Sequence, residues 1–238
     1  MDFDDYDNAG GGRFLTYLGW KAATGRGGGF FETKAKPDST GEREIVSIPI
    51  PKPKGLIFWV DGHSIETGFR RFDDRWVDWG YVKYGEDMGS CRPPDEEFKR
   101  TSLFQGVQVP NPPKRAVKMR VFCEDWTGTG DVDQLLEWTT NQTTVINEPS
   151  FRRILATWRD LAPAEKADSA MQVRLEKSEM FGRNKNHAPV FDEKIGIKPR
   201  PQAFIDFDES AGDAAPPNPQ PTSSPAADVA APVDDWAA

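Results

Sequence analysis

The chain has 238 residues, 30 Lys and Arg against 38 Asp and Glu, and a formal net charge of −8. With 8 Trp, 4 Tyr and 15 Phe but only 2 His and 2 Cys, it is rich in groups that stack and bury and poor in those that carry most catalytic and metal chemistry, which favours a binder over an enzyme. The acidity sits at the ends: residues 1–7 carry four Asp, residues 203–238 carry seven acids and neither stretch has a base, leaving 30 bases against 27 acids and a body of net charge +3.

The start, Met1-Asp-Phe-Asp-Asp-Tyr-Asp7, is acidic where a signal peptide is basic and then apolar, and no run approaches a membrane span. A non-membrane, cytoplasmic protein is expected, with Cys91 and Cys123 as reduced thiols. Residues 1–12 read as a flexible acidic arm. The glycine clusters at 10–12 and 25–29 lack the Gly-Lys-Ser/Thr closure of a phosphate loop and read as flexible loops, in which Arg26 could meet a phosphate.

Short β-like runs follow, separated by Gly and Pro: Phe30 to Lys34, Glu44 to Ile50, Leu56 to Val60, Arg75 to Tyr84, Leu103 to Val109, Ala116 to Phe122 and Met171 to Leu175. Leu56-Ile-Phe-Trp-Val60 is wholly apolar, so it is expected to span the core with Trp59 structural. One helix is clear between Asn147 and Asp160, where Pro149 opens it and Phe151, Ile154, Leu155 and Trp158 share a face. The fold class expected for residues 13–207 is mainly β, a barrel or sandwich with one or two helices, of which a small mixed barrel fits best.

Three segments could touch a ligand. In Lys114 to Cys123, period-two alternation sends Val117, Met119, Val121 and Cys123 to one face and Lys114, Lys118, Arg120 and Phe122 to the other, a basic face with one ring. In Arg75 to Tyr84 the odd positions Arg75, Val77, Trp79, Tyr81 and Lys83 place aromatics between bases. Gly68-Phe-Arg-Arg-Phe72 sets Arg70 and Arg71 between two rings, either in the same groove or in a surface turn where they pair with Asp73 and Asp74. Cations with interleaved rings suit a phosphate backbone with stacked bases. His63, His187, Cys91 and Cys123 lack metal-ligand spacing, no nucleophile motif occurs, and neither a metal nor a cofactor is expected.

From Asp208 the chain turns Ala-, Pro-, Ser- and Asp-rich, too poor in apolar surface to fold, and 208–238 is expected to be a disordered acidic tail. It ends in Asp234-Asp235-Trp236-Ala-Ala, a large ring beside two acids. A β-rich body, a Pro-rich linker and a terminal acidic peptide with an aromatic resemble the single-stranded DNA-binding proteins of bacteria and tailed phages. The resemblance implies an OB-fold that holds single-stranded DNA without sequence preference, no enzymatic activity and possible homo-oligomers. It further implies docking of replication or recombination proteins through Asp234, Asp235 and Trp236. The tail would compete for the groove, so a chain ending near Gln202 is expected to bind DNA more tightly at low salt. The alternative class is a phage structural or assembly protein, or an inhibitor whose tail mimics nucleic acid. The two differ in whether the body's bases cluster on one face or are scattered and salt-bridged.

Overall fold

A computed structural model describes residues 15–22, 28–35, 40–50, 54–124, 134–181 and 186–212. The expected arm at 1–12, Arg26 and the peptide Asp234, Asp235 and Trp236 lie outside them. The strands are β1 (Thr16–Lys21), β2 (Phe30–Lys34), β3 (Ile45–Ile48), β4 (Leu56–Asp73), β5 (Arg75–Lys83), β6 (Thr101–Phe104), β7 (Val107–Pro110), β8 (Lys114–Cys123), β9 (Leu135–Thr140), β10 (Ser169–Phe181), β11 (Asn186–Phe191) and β12 (Gly196–Pro199). The helices are α1 (Thr143–Ile146), α2 (Pro149–Asp160), α3 (Pro163–Lys166) and α4 (Gln202–Gly212).

The protein is mainly β. Its 10-stranded sheet runs β11-β10-β4-β8-β9-β1-β2-β3, with β12 on β10 and β5 on β4, while β6 and β7 form a separate pair. β1 meets β9 in parallel; the other ladders are antiparallel. The expected closed barrel is not formed, because among the described residues no ladder joins the two ends of this path and the sheet is open. Side chains bridge the gap instead: Trp20 Nε1 donates to the His187 carbonyl at 2.9 Å, and Gly29 N to Ser178 Oγ at 2.6 Å.

The concave side is filled by rings from distant strands. Phe31, Phe58, Trp138, Phe151 and Phe191 meet with centroids 5.0 to 6.3 Å apart, mostly edge to face. Helix α2 supplies Phe151, Ile154, Leu155 and Trp158, the stripe its sequence shows. Its start is fixed by Pro149 and by the Glu148 carboxylate, which accepts from Phe151 N at 2.9 Å and from the Ser150 hydroxyl; Ser150 Oγ accepts in turn from Phe191 N at 2.9 Å, tying the helix to β11.

Strand β4 is far longer than the apolar run that marks its start. It continues beyond Val60 by taking an irregular step opposite β8 between Asp61 and Glu66, and Gly62 lies there under the indole of Trp158. A Cβ on Gly62 would come within 2.0 Å of that ring, so Gly62→Ala is expected to cost about 1–3 kcal/mol by overpacking, read as a lower urea midpoint at unchanged slope. Cys91 and Cys123 are separate buried thiols. Among the described residues, no helix is long and apolar enough to cross a membrane.

Candidate nucleic-acid interface

Strand β8 folds as its alternation dictates: Val117, Met119, Val121 and Cys123 are buried in the core, while Lys118, Arg120 and Phe122 stay partly exposed on the convex face and Lys114 is exposed at its start. Register places neighbours beside them. Trp59 stands directly opposite Phe122 across the β4 ladder, Leu135 opposite Phe122 on β9, and Asp61 and Glu137 flank Arg120. Trp59 is therefore on the convex face and half-buried, not in the core, with Nε1 donating to Glu124 at 2.8 Å. Nothing in a run of five apolar residues distinguishes its two faces.

Further along β4 the face continues with Glu66, opposite both Lys118 and Lys83. Glu66 takes Lys83 at 2.9 Å and Lys118 at 3.0 Å. Burial alone would raise its carboxyl, but the two lysines outweigh that and hold it below the usual range. Lys118 also lies 4.8 Å from the Tyr81 ring centre, and the Tyr81 hydroxyl donates to Asp78 at 2.7 Å. Glu137 is shifted the other way, raised by burial against a weaker pull from Lys118.

The odd face read for β5 does not survive as one surface. At Gly80, with φ +100°, the register slips: Gly68 faces Tyr81 but Arg70 faces Asp78, so β5 carries one extra residue there. Tyr81 and Lys83 stay on the convex face with Lys118. Trp79 and Arg75 turn to the opposite face, where Trp79 lies 5.1 Å under the Arg71 guanidinium. Gly68 to Phe72 is neither a turn nor an open groove but the end of β4, and both arginines are buried, Arg70 at 2% and Arg71 at 4% exposure. Arg70 pairs with Asp78 at 3.2 Å beneath the Trp76 ring, and Arg71 with Glu97 at 2.7 Å and Asp73 at 3.4 Å. Of the residues read from sequence, Lys83, Tyr81, Lys114, Lys118, Arg120 and Phe122 thus share a face; Arg70 underlies it, and Arg71, Arg75 and Trp79 lie elsewhere.

The strip also carries a cover that no sequence pattern marks. Helix α4 crosses the expected boundary at 207 and brings Asp208 onto the strip. Arg120 bonds Asp61 and Asp208, each at 2.5 Å; Arg200 bonds the same two carboxylates at 2.9 and 2.7 Å; and the Phe207 ring centre lies 5.1 Å from the Arg120 guanidinium. Asp61 is fully buried at the hub, whereas Asp208 is 44% exposed. Burial pushes the Asp208 carboxyl up, but Arg120 and Arg200 outweigh it and hold it below the ordinary value. A lone acid after an apolar run was the only sign of Asp61. Among the described residues, no group of three or more His, Cys, Asp or Glu is placed to hold a metal ion.

Comparisons of the chain with protein-family models, curated proteins and solved structures give no match.

Proposed function

We propose that the convex strip of β4, β5 and β8 binds single-stranded DNA without sequence preference. The observation that carries this is the spacing along β8, where Lys114, Lys118, Arg120 and Phe122 face one way while Trp59 stands on the adjoining β4 and Tyr81 one strand further, on β5. Rings offer a stacking face to any base and the cations meet phosphates. In this reading the open sheet serves in place of an OB barrel, and Asp234, Asp235 and Trp236 dock replication or recombination proteins.

The strip's cations are held by carboxylates, and the exposed member of the set is Asp208. With Phe207 beside it on Arg120, α4 offers a ring and an anion where a nucleotide would place a base and a phosphate. Exposed ion pairs contribute only about 0–1 kcal/mol, so a phosphate can replace this carboxylate at small cost. Truncation near Gln202 would also remove Phe204, which is fully buried, so Asp208→Asn is the cleaner test of competition.

The full-length protein is titrated with an oligo-dT and a duplex of equal length at two salt concentrations, following Trp fluorescence. Quenching by the single strand alone is expected. About four phosphate contacts (Lys83, Lys114, Lys118, Arg120) give a log–log salt slope of roughly −3. Asp208→Asn should bind more tightly at low salt. No binding of either DNA would overturn the reading. It would favour the second one, a phage structural or assembly protein or an inhibitor whose tail mimics nucleic acid, which the pairing of the strip's bases supports.

A further inference from the structure

The β6–β7 hairpin is a two-stranded sheet with no ladder to the main one, and it leaves large apolar side chains in water: Leu103 is 68% exposed, Phe104 62% and Val107 62%. They occupy both faces, since Phe104 stands opposite Val107 while Leu103 stands opposite Gln108. The tip therefore has no side turned to its own body. A free-standing pair of strands this short is marginal in water, so the hairpin draws its order from its base. That base is braced. Asn111 N donates to the Arg100 carbonyl at 2.8 Å and Asn111 Nδ2 to the Phe72 carbonyl at 2.9 Å, Arg100 shares Glu97 with the buried Arg71, and Phe98 packs edge-on against Phe69. Gln105 and Gly106, at φ 49° and 81°, make the tight turn whose twist matches the strands. An apolar tip on a stiff stalk is a surface built for contact.

Two observations identify its partner. The stalk rises beside Phe72 and returns through Pro112 and Pro113 into Lys114, the first cation of the β8 strip, so it stands at one end of the proposed DNA path. And from Lys99 to Arg115 the chain has no acid: Lys99-Arg100 and Lys114-Arg115 flank an uncharged stretch whose polar residues are Thr, Ser, Gln and Asn. Such a segment suits a polyanion that carries apolar faces. We infer that the hairpin is a wedge for the same nucleic acid, setting Phe104 and Leu103 against the bases of the strand as it leaves the strip at Lys114. Apolar side chains inserted at base steps, with cations on the adjoining phosphates, bind nucleic acid in this way. The inference rests on the strip reading and lengthens its site.

The test compares full-length wild type with Leu103→Ser/Phe104→Ser on oligo-dT of about 8 nucleotides, enough for the strip, and of about 16, enough to reach the hairpin. Both side chains are exposed, so the variant should melt with the wild type. Expected is roughly tenfold weaker binding of the longer strand and unchanged binding of the shorter one. A 5-iodouracil placed near the end of the longer strand should photocross-link to Phe104. Equal binding of both lengths by variant and wild type, with no cross-link, overturns the inference and leaves the strip intact. If wild type binds neither length, the strip reading fails and the wedge with it. If the variant changes sedimentation mass but not DNA affinity, the tip joins a second copy of the chain, and the wedge is again overturned.

Discussion

Trp59→Ala together with Phe122→Ala should weaken oligo-dT binding by about 2–6 kcal/mol, the sum of two stacks at roughly 1–3 kcal/mol each. The two rings are direct neighbours across the β4–β8 ladder, so their contributions overlap and the loss should fall in the lower half of that range. About 3 kcal/mol is already more than a hundredfold in Kd. Neither ring belongs to the buried core, and the one hydrogen bond removed among the described residues, from Trp59 to Glu124, contributes about 0.5–1.5 kcal/mol to stability, so the variant should remain folded. Trp79→Ala provides the matched control. It deletes a ring of equal size from the opposite face, where the slip at Gly80 has sent it, and should leave affinity unchanged. Fluorescence anisotropy of a labelled strand distinguishes the cases. If the double variant binds within twofold of wild type, or if Trp79→Ala is the one that loses affinity, the convex strip is not where the bases stack.

Asp61→Ala is expected to be the most damaging polar substitution, at about 3–5 kcal/mol, the range for removing one partner from a buried ionic group. Asp61 is wholly inaccessible and accepts from Arg120, Arg200 and the backbone of His63. Without it, two guanidiniums face each other with only the exposed Asp208 between them. Asp61→Asn keeps the shape and the His63 bond and should lose less; a loss below about 1 kcal/mol for the alanine variant would mean that solvent already screens the cluster. Asp208 adds a pH dependence with a definite sign. Its folded value lies below its unfolded one, near 3.9, so its contribution is intact above about pH 4 and fades as pH falls through the lower folded value. The Asp208 contribution to α4 docking is thus insensitive to pH in the neutral range and weakens in acid, while the buried Phe204 continues to hold the helix.

What could be read in advance follows from how local each feature is. The two faces of β8 and the stripe of α2 are set by residues two, three or four apart, and both appear in the structure as their patterns state. Strand β5 misleads because one extra residue at Gly80 exchanges its faces, and alternation has no term for a bulge. Leu103 to Val109 reads as a single strand although Gln105-Gly106 folds it into a hairpin, a weaker turn signal than Asn-Gly or Asp-Gly. The convex position of Trp59, the hub at Asp61 and the seat of Asp208 depend on which strands are neighbours. That is decided by pairings across the chain and leaves no mark on any one segment. The same holds for the open sheet, since runs of short strands look alike whether or not their ends meet.

The parallel pairing of β1 with β9 joins Thr16 to Leu136, 120 positions apart. During synthesis at about 5–20 residues per second, the first strands wait on the order of 6–24 s before the partner they need has even been made. Until then β1 to β3 can form only a small meander with Leu18, Trp20 and Phe31, all core residues of the finished protein, in water. Contacts this distant are formed late and slow folding, because the intervening loop must close before the contact rewards it. Release of the nascent chain before residue 140 should leave a sticky, aggregation-prone fragment, and a permutant that begins at Gly55 and carries β1 to β3 after α4 should reverse the order of assembly.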